Sequence, residues 1–249
     1  MKKNKLILTA LLTAGVLTGC ATTDPETGVR NDPLEGFNRS MWNFNYNYLD
    51  PYLLKPVAKG WKNYVPSPVT AGLVNVANNL DEPVSFVNRL IEGEGKKAMV
   101  HFNRFWINSV FGLGGLIDWA SYDDRLKIDG ERTFGDTLAS YGVEQGAYIM
   151  LPAYGATTPT QLTGSVVDMA YTYPFWDWVG GPWSLVKYGV QAVDSRAKAM
   201  DKEALLEQAQ DPYITFREAY FQNLDFRATD GKGQEVKETL SQEELNSID

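Results

Sequence analysis

The sequence has almost nothing with which to run nucleophilic or metal chemistry. It holds one histidine, His101, and one cysteine, Cys20. Metal centres and acid–base constellations lean on histidine, and a lone His in MVHFNRF reads as a packed, hydrogen-bonded residue. No G-x-S-x-G elbow, C-x-x-C pair or calcium loop occurs. Asp118, Asp123, Asp124 and Asp168 have the spacing of a solvated surface rather than of paired catalytic acids, so neither an enzyme nor a bound cofactor is expected. Basic charge is also in the minority: 23 Lys and Arg against 31 Asp and Glu give a formal charge of −8. Nucleic acid and polybasic membrane attachment call for the opposite balance. Past the N-terminal segment no apolar run approaches the roughly 20 residues of a spanning helix. The nearest, Val110–Ala120 (VFGLGGLIDWA), is about half that.

What is present begins with an address. Lys2, Lys3 and Lys5 precede a short apolar run from Leu6 to Leu17, and Leu17-Thr18-Gly19-Cys20 follows. Residues 1–19 read as a cleaved signal peptide. The ending resembles a bacterial lipobox, in which the cysteine is acylated and becomes the first mature residue. Several acyl chains give a stable anchor that one would not. Ala21 rather than aspartate after the cysteine favours the outer membrane. Residues 21–31 (ATTDPETGVRN) are polar and aperiodic, a flexible tether. A single domain is expected over 32–226, then a polar, acidic tail over 227–249, where Ser241 and Glu244 have capping-box spacing.

Within the domain the apolar period is helical. Val69, Leu73, Val76 and Leu80 form one stripe, and Val84, Val87 and Ile91 another. Met99, Phe102, Phe105, Trp106, Val110 and Phe111 form a broad apolar face. Val186, Val190, Val193, Ala197 and Met200 give the cleanest pattern, and Phe216, Tyr220 and Leu224 lie on a last helix. Asp50-Pro51, Ser67-Pro68, Asp81 before Pro83, and Asp211-Pro212 predict capped helix starts. Residues 123–135 read as a polar loop and 141–155 as a loop or short hairpin. Lys55, Lys59 and Lys62 share a helical face beside Tyr52, Trp61 and Tyr64, the signature of an interfacial helix whose lysines reach headgroups. Tyr171–Trp183 (YTYPFWDWVGGPW) adds a second aromatic cluster. Gly112-Leu113-Gly114-Gly115 lacks the spacing of a phosphate loop and predicts a close backbone approach or a bend.

In order along the chain stand Asp32-Pro33-Leu34-Glu35-Gly36-Phe37-Asn38-Arg39, Asn43-Phe44-Asn45, Leu49-Asp50-Pro51-Tyr52, Lys55-Pro56-Val57-Ala58 and Tyr64-Val65-Pro66. Glu82-Pro83, Phe102-x-Arg104-Phe105-x-x-Asn108, Gly112-x-Gly114-Gly115-x-x-Asp118 and Phe134-Gly135-x-Thr137-Leu138-x-x-Tyr141-Gly142-Val143 follow. Leu151-Pro152-x-Tyr154-Gly155 and Asp211-Pro212-Tyr213-x-x-x-Arg217-Glu218-Ala219-Tyr220-Phe221 complete the set. Each is weak alone, but the ordered set, covering nearly all of 32–226, resembles the MlaA (VacJ) family of outer-membrane lipoproteins. One departure is Ala209, where serine would be expected. The resemblance implies an all-α, ring-shaped protein of short interfacial helices, embedded in the outer membrane beside a trimeric porin and carrying a central amphipathic channel. It implies removal of phospholipids misplaced in the outer leaflet and their transfer to a soluble periplasmic carrier, MlaC. Gly112, Gly114 and Gly115 are then expected at the channel wall, with residues 123–135 as a gating loop. The competing expectations are a structural or assembly lipoprotein and, less well supported, a lipid hydrolase.

The stretch from Phe37 to Tyr52 (FNRSMWNFNYNYLDPY) alternates aromatics with asparagines like a strand, yet Phe37, Met41, Phe44, Tyr48 and Tyr52 step like a helix. The helical reading places an interfacial helix ending at Asp50-Pro51, with Asn43, Phe44 and Asn45 as interface or channel residues.

Overall fold

The computed structural model describes residues 30–231 except 129, 180 and 181. The signal segment, Cys20, the tether up to residue 29 and the tail from residue 232 lie outside the described residues.

The chain starts as helix α1 (Glu35–Asn43), continues without a break as a π-helical segment (Phe44–Leu54), and runs on into α2 (Lys55–Tyr64). Asp50-Pro51 therefore does not end the helix, contrary to expectation. A proline ring clashes with the carbonyl four residues back. The wider π winding, in which the Lys55 N–H reaches the Asp50 carbonyl five residues back, makes room for it. Helices α3 (Ser67–Asn79), α4 (Glu82–Ile91) and α5 (Gly95–Val110) follow. Short 3-10 turns at Trp119–Tyr122 and Asp124–Leu126 lead to α6 (Phe134–Ser140). Strands β1 (Ile149–Leu151) and β2 (Gly155–Thr157) form an antiparallel hairpin with Met150 opposite Ala156. Helices α7 (Pro159–Val179), α8 (Pro182–Ala199), α9 (Glu203–Glu207) and α10 (Pro212–Ala228) complete the chain.

Of the four expected proline-joint caps, only Asp211 acts as one, accepting from the N–H groups of Tyr213 and Ile214 at 3.0 and 3.2 Å. Ser67 lies inside its helix. The Asp81 side chain makes no cap because Lys187 and Gln191 take its oxygens. The capping box that does form, Thr133 with Asp136 at the start of α6, carries no proline. Helix α7 was not legible in the sequence: its apolar residues spread all round, and Gly164 and Pro174 interrupt it.

Six helices close a circuit. Helix α8 packs on α3, α3 on α5, α5 on α4, α4 on α6, α6 on α7, and α7 again on α8. Helix α2 lies against α8. A conventional apolar core sits to one side of the circuit, where Tyr148 and Met150 of the hairpin meet Tyr213, Phe221 and Leu224 of α10. Met41 and Trp42 of α1 pack on it.

The circuit itself is built inside out. Val69 and Leu73 of α3, Leu90 and Ile91 of α4, and Met99, Phe102, Trp106 and Val110 of α5 are exposed. The buried face of α4 is Glu82, Ser85 and Asn88; that of α5 is Ala98, His101, Arg104 and Asn108. The stripes read from the sequence on α3, α4 and α5 are present, with these members facing outward and Val76, Leu80, Val84, Val87 and Phe105 half-buried. Exposed apolar surface costs about 25 cal/mol per Å² in water, and patches this continuous mark a surface meant to be covered. No described helix is long and apolar enough to cross a membrane.

Candidate functional site: a polar lumen inside the ring

Polar residues at helical spacing converge inside the circuit. The steps of three from Glu82 to Ser85 to Asn88, and of three and four from His101 to Arg104 to Asn108, put each set on one helix face. Glu82 receives both neighbours on α5. Its Oε2 lies 2.7 Å from His101 Nδ1, and its Oε1 accepts from Arg104 Nε at 2.6 Å. Arg104 also donates to Asp118 Oδ2 at 3.1 Å and to the Leu126 carbonyl at 3.0 Å. Asn108 donates to Asp118 Oδ1 at 2.8 Å and accepts the Ala120 N–H at 3.0 Å. The 3-10 turns are thus hung on α5 through side chains. Burial works against the Asp118 charge, but the bonds from Ser121, Asn108 and Arg104 more than offset it and hold its carboxyl below the usual range.

Across the ring, Lys187 of α8 is buried and paired with Asp81 at 2.5 Å, and Gln191 donates to Asp81 at 2.8 Å. Lys198 pairs with Asp194 at 2.7 Å. Between these walls lies a cavity of about 680 Å³ lined by α3, α4, α5, α8 and residues 118–131. A second cavity of about 410 Å³ lies beyond it, between α4, α5 and α10. The two share Lys127, Ile128, Gly130 and Glu131, so this segment divides them. Among the described residues no three metal-ligating side chains converge.

The glycines behind Val110 seat this wall without lining it. A Cβ on Gly112 would overlap the carbonyls of Asn108 and Ile117, and one on Gly115 would sit 2.9 Å from Asn79 Cβ. Gly114 and Gly115 also hold positive φ of 72° and 99°, which favours glycine. Asn79 of α3 and Asn108 of α5, which Gly115 and Gly112 closely approach, line the lumen.

Phe44 and Asn43 are exposed, and Asn43 accepts a hydrogen bond from Asn47. Asn45 instead grips the hairpin turn, donating to the Leu151 carbonyl at 2.8 Å and accepting the Ala153 N–H at 2.8 Å. Asn38, fully buried, does the same one step earlier with the Tyr148 carbonyl and the Met150 N–H, both at 2.9 Å. None of these four asparagines lines the cavities. Lys55 and Lys62 are engaged by Glu203 and Asp201 at 2.9 and 2.5 Å, while Lys59 is exposed and has no ion pair among the described residues. The sequence marked Glu82 and Arg104 as parts of the family motifs without giving either a role, and did not single out Lys187 or Glu131. The available signal was polar periodicity: the three-and-four steps of Glu82–Asn88 and His101–Asn108 complement the apolar stripes beside them.

The MlaA lipoprotein family model matches residues 30–227. The chain is 67% identical over 99% of its length, and 100% of the relative's, to the intermembrane phospholipid transport system lipoprotein MlaA of Haemophilus influenzae. To the protein of the same name in Escherichia coli it is 44% identical, over 98% of this chain and 99% of that one. It is also similar to a solved structure described as the structural basis for maintenance of bacterial outer membrane lipid asymmetry. That likeness has 46% identity and a TM-score of 0.74, covering 80% of this chain and all of the other. The chain belongs to the MlaA lipoprotein family.

Proposed function

We propose that the chain is a non-enzymatic transporter that takes misplaced phospholipids from the outer leaflet of the outer membrane and hands them to a soluble periplasmic carrier. The observation that carries this reading is the polar cavity enclosed by a ring whose outer face is apolar. A phospholipid needs an apolar surround for its chains and a wet path for its headgroup. Helices satisfy their own backbone groups, so a ring of them can lie within lipid without spanning it. Aromatic residues such as Tyr52, Tyr64 and Trp178, each more than 80% exposed, suit the water–lipid boundary. Acylation at Cys20 would hold the ring at the membrane, Lys59 is free to meet headgroups, and a trimeric porin would cover part of the outer rim. Gly112, Gly114 and Gly115 support the lumen wall from behind, and the polar stretch 123–135, which contains the residues common to both cavities, acts as its gate.

The test is purification of the full lipoprotein in mild detergent, with mass spectrometry of bound lipid and of lipid passed to a periplasmic acceptor. Intact phospholipid, moved without breakdown, is the expected result. Lyso-lipid would point to hydrolysis, and absence of lipid to a purely structural lipoprotein.

A further inference from the structure

We propose that the lumen selects among phospholipids, and that the Glu131 carboxylate is the determinant, accepting the primary ammonium of an aminophospholipid headgroup. This rests on the transport reading above and names the lipid class that passes best.

Among the described residues, five carboxylates and three cations line the larger cavity. Each of those cations is already engaged: Arg104 by Glu82 and Asp118, Lys198 by Asp194, and Lys127 by Asp124 at 2.5 Å. Asp81 is neutralised by Lys187. Glu131 alone among the lining carboxylates has no hydrogen bond or ion pair to any described residue, and its side chain is open to the lumen. It also stands on the segment common to both cavities, so a headgroup moving between them passes it. Beyond the shared segment the second cavity is lined by Arg89, Lys97, Arg132 and Arg227, and each is paired in turn: Arg89 with Glu92 and Asp230, Lys97 with Asp230, Arg132 with Glu92, and Arg227 with Asp136.

A headgroup that carries a primary ammonium fits this carboxylate. The ammonium meets Glu131, unpaired among the described residues, with charge-assisted hydrogen bonds. A lipid with a net negative headgroup meets only paired cations among the described residues of the larger cavity, and is repelled by the ionised Glu131. The surrounding chain, and next the Asp81 charge, push the Glu131 carboxyl up to about 7, with Lys187 and Arg227 opposing and Asp136 adding to the push. An arriving ammonium favours the ionised form, so binding draws a proton off the group.

The test uses the full-length lipoprotein in mild detergent, equilibrated with an equimolar mixture of phosphatidylethanolamine and phosphatidylglycerol, with bound lipid counted by mass spectrometry. We expect phosphatidylethanolamine enriched about threefold over the supplied ratio, roughly half a decade in relative affinity. Glu131→Gln should bring the bound ratio to that of the mixture with total lipid retained. Glu131→Asp should keep the enrichment. Because Glu131 has no partner to lose among the described residues, the Gln variant should fold, which its helical circular dichroism and melting temperature check directly. Bound lipid at the supplied ratio in the unmodified protein, or enrichment that survives Glu131→Gln, overturns the proposal while leaving transport standing. A protein that binds no lipid of either kind overturns both.

Discussion

Arg196 of α8 holds Asp50 of the π-helical segment with both arms of its guanidinium, Nε to Oδ1 at 2.6 Å and Nη2 to Oδ2 at 2.7 Å. The same Nη2 donates to Glu203 at 2.9 Å, and Glu203 also takes Lys55. The N-terminal arm, α8 and the start of α9 are therefore joined through one guanidinium. A planar fork on a carboxylate is geometry that lysine cannot copy. Arg196→Lys should cost about 1–2 kcal/mol and Arg196→Ala about 2–3 kcal/mol of unfolding free energy, read by denaturant titration in detergent. Equal losses from both would show that charge alone, not the fork, is at work.

Arg104 is the second test, because it leaves a carboxylate stranded when removed. Glu82 and His101 are 4% and 2% exposed, and among the described residues Arg104 is the one arginine or lysine paired with Glu82. Arg104→Ala should destabilise by about 3–5 kcal/mol, the range for breaking a buried pair from one side. Adding Glu82→Gln to that variant should recover part of the loss. A double variant no more stable than Arg104→Ala would mean that packing, not the stranded charge, sets the cost.

Gly112→Ala should be more harmful than Gly114→Ala, although the two stand two residues apart. Gly114 has open space around its α-carbon and pays only for its positive φ, whereas Gly112 has carbonyl oxygens where the methyl would go. We expect about 1 kcal/mol for Gly114 and on the order of 2–3 kcal/mol for Gly112, with lipid occupancy falling only for the latter. The reverse order would remove the close-approach argument.

Deleting Asn43 and Phe44 takes two residues from between the hairpin clamps Asn38 and Asn45. At 3.6 residues per turn this rotates one clamp by roughly 200° relative to the other. One of them must then release the hairpin, so the ring should survive while lipid flow is misdirected. Outer-leaflet phospholipid measured in cells carrying the deletion gives the answer. A wild-type level would reduce the stretch to packing.

These asparagines show where sequence reasoning reached and where it stopped. The helical period of Phe37–Tyr52 was legible because aromatic spacing records the backbone directly. That Asn38 and Asn45 mimic a strand edge for residues 148–153 was not, since the partner lies more than 100 residues away. The stripes of α3, α4 and α5 were visible, but a stripe does not say whether lipid or protein lies against it. Helix α7 lacked a single apolar face, and the π winding at Pro51 was hidden because an Asp-Pro pair ordinarily opens a new helix. Glu131 was invisible for a different reason: a carboxylate is notable only once every neighbour is known to be engaged elsewhere.

The order of helices around the circuit has a consequence for how the protein is made. Helix α3 closes on α8, more than a hundred residues later in the chain, and α8 is the last of the six to leave the ribosome. Until then the polar faces of α4 and α5 have no opposite wall, and the apolar stripes have neither lipid nor partner. Distant pairings of this kind form slowly, and the exposed intermediates aggregate readily. A chain whose ring closes this late is one whose yield should depend on chaperones more steeply than on its final stability.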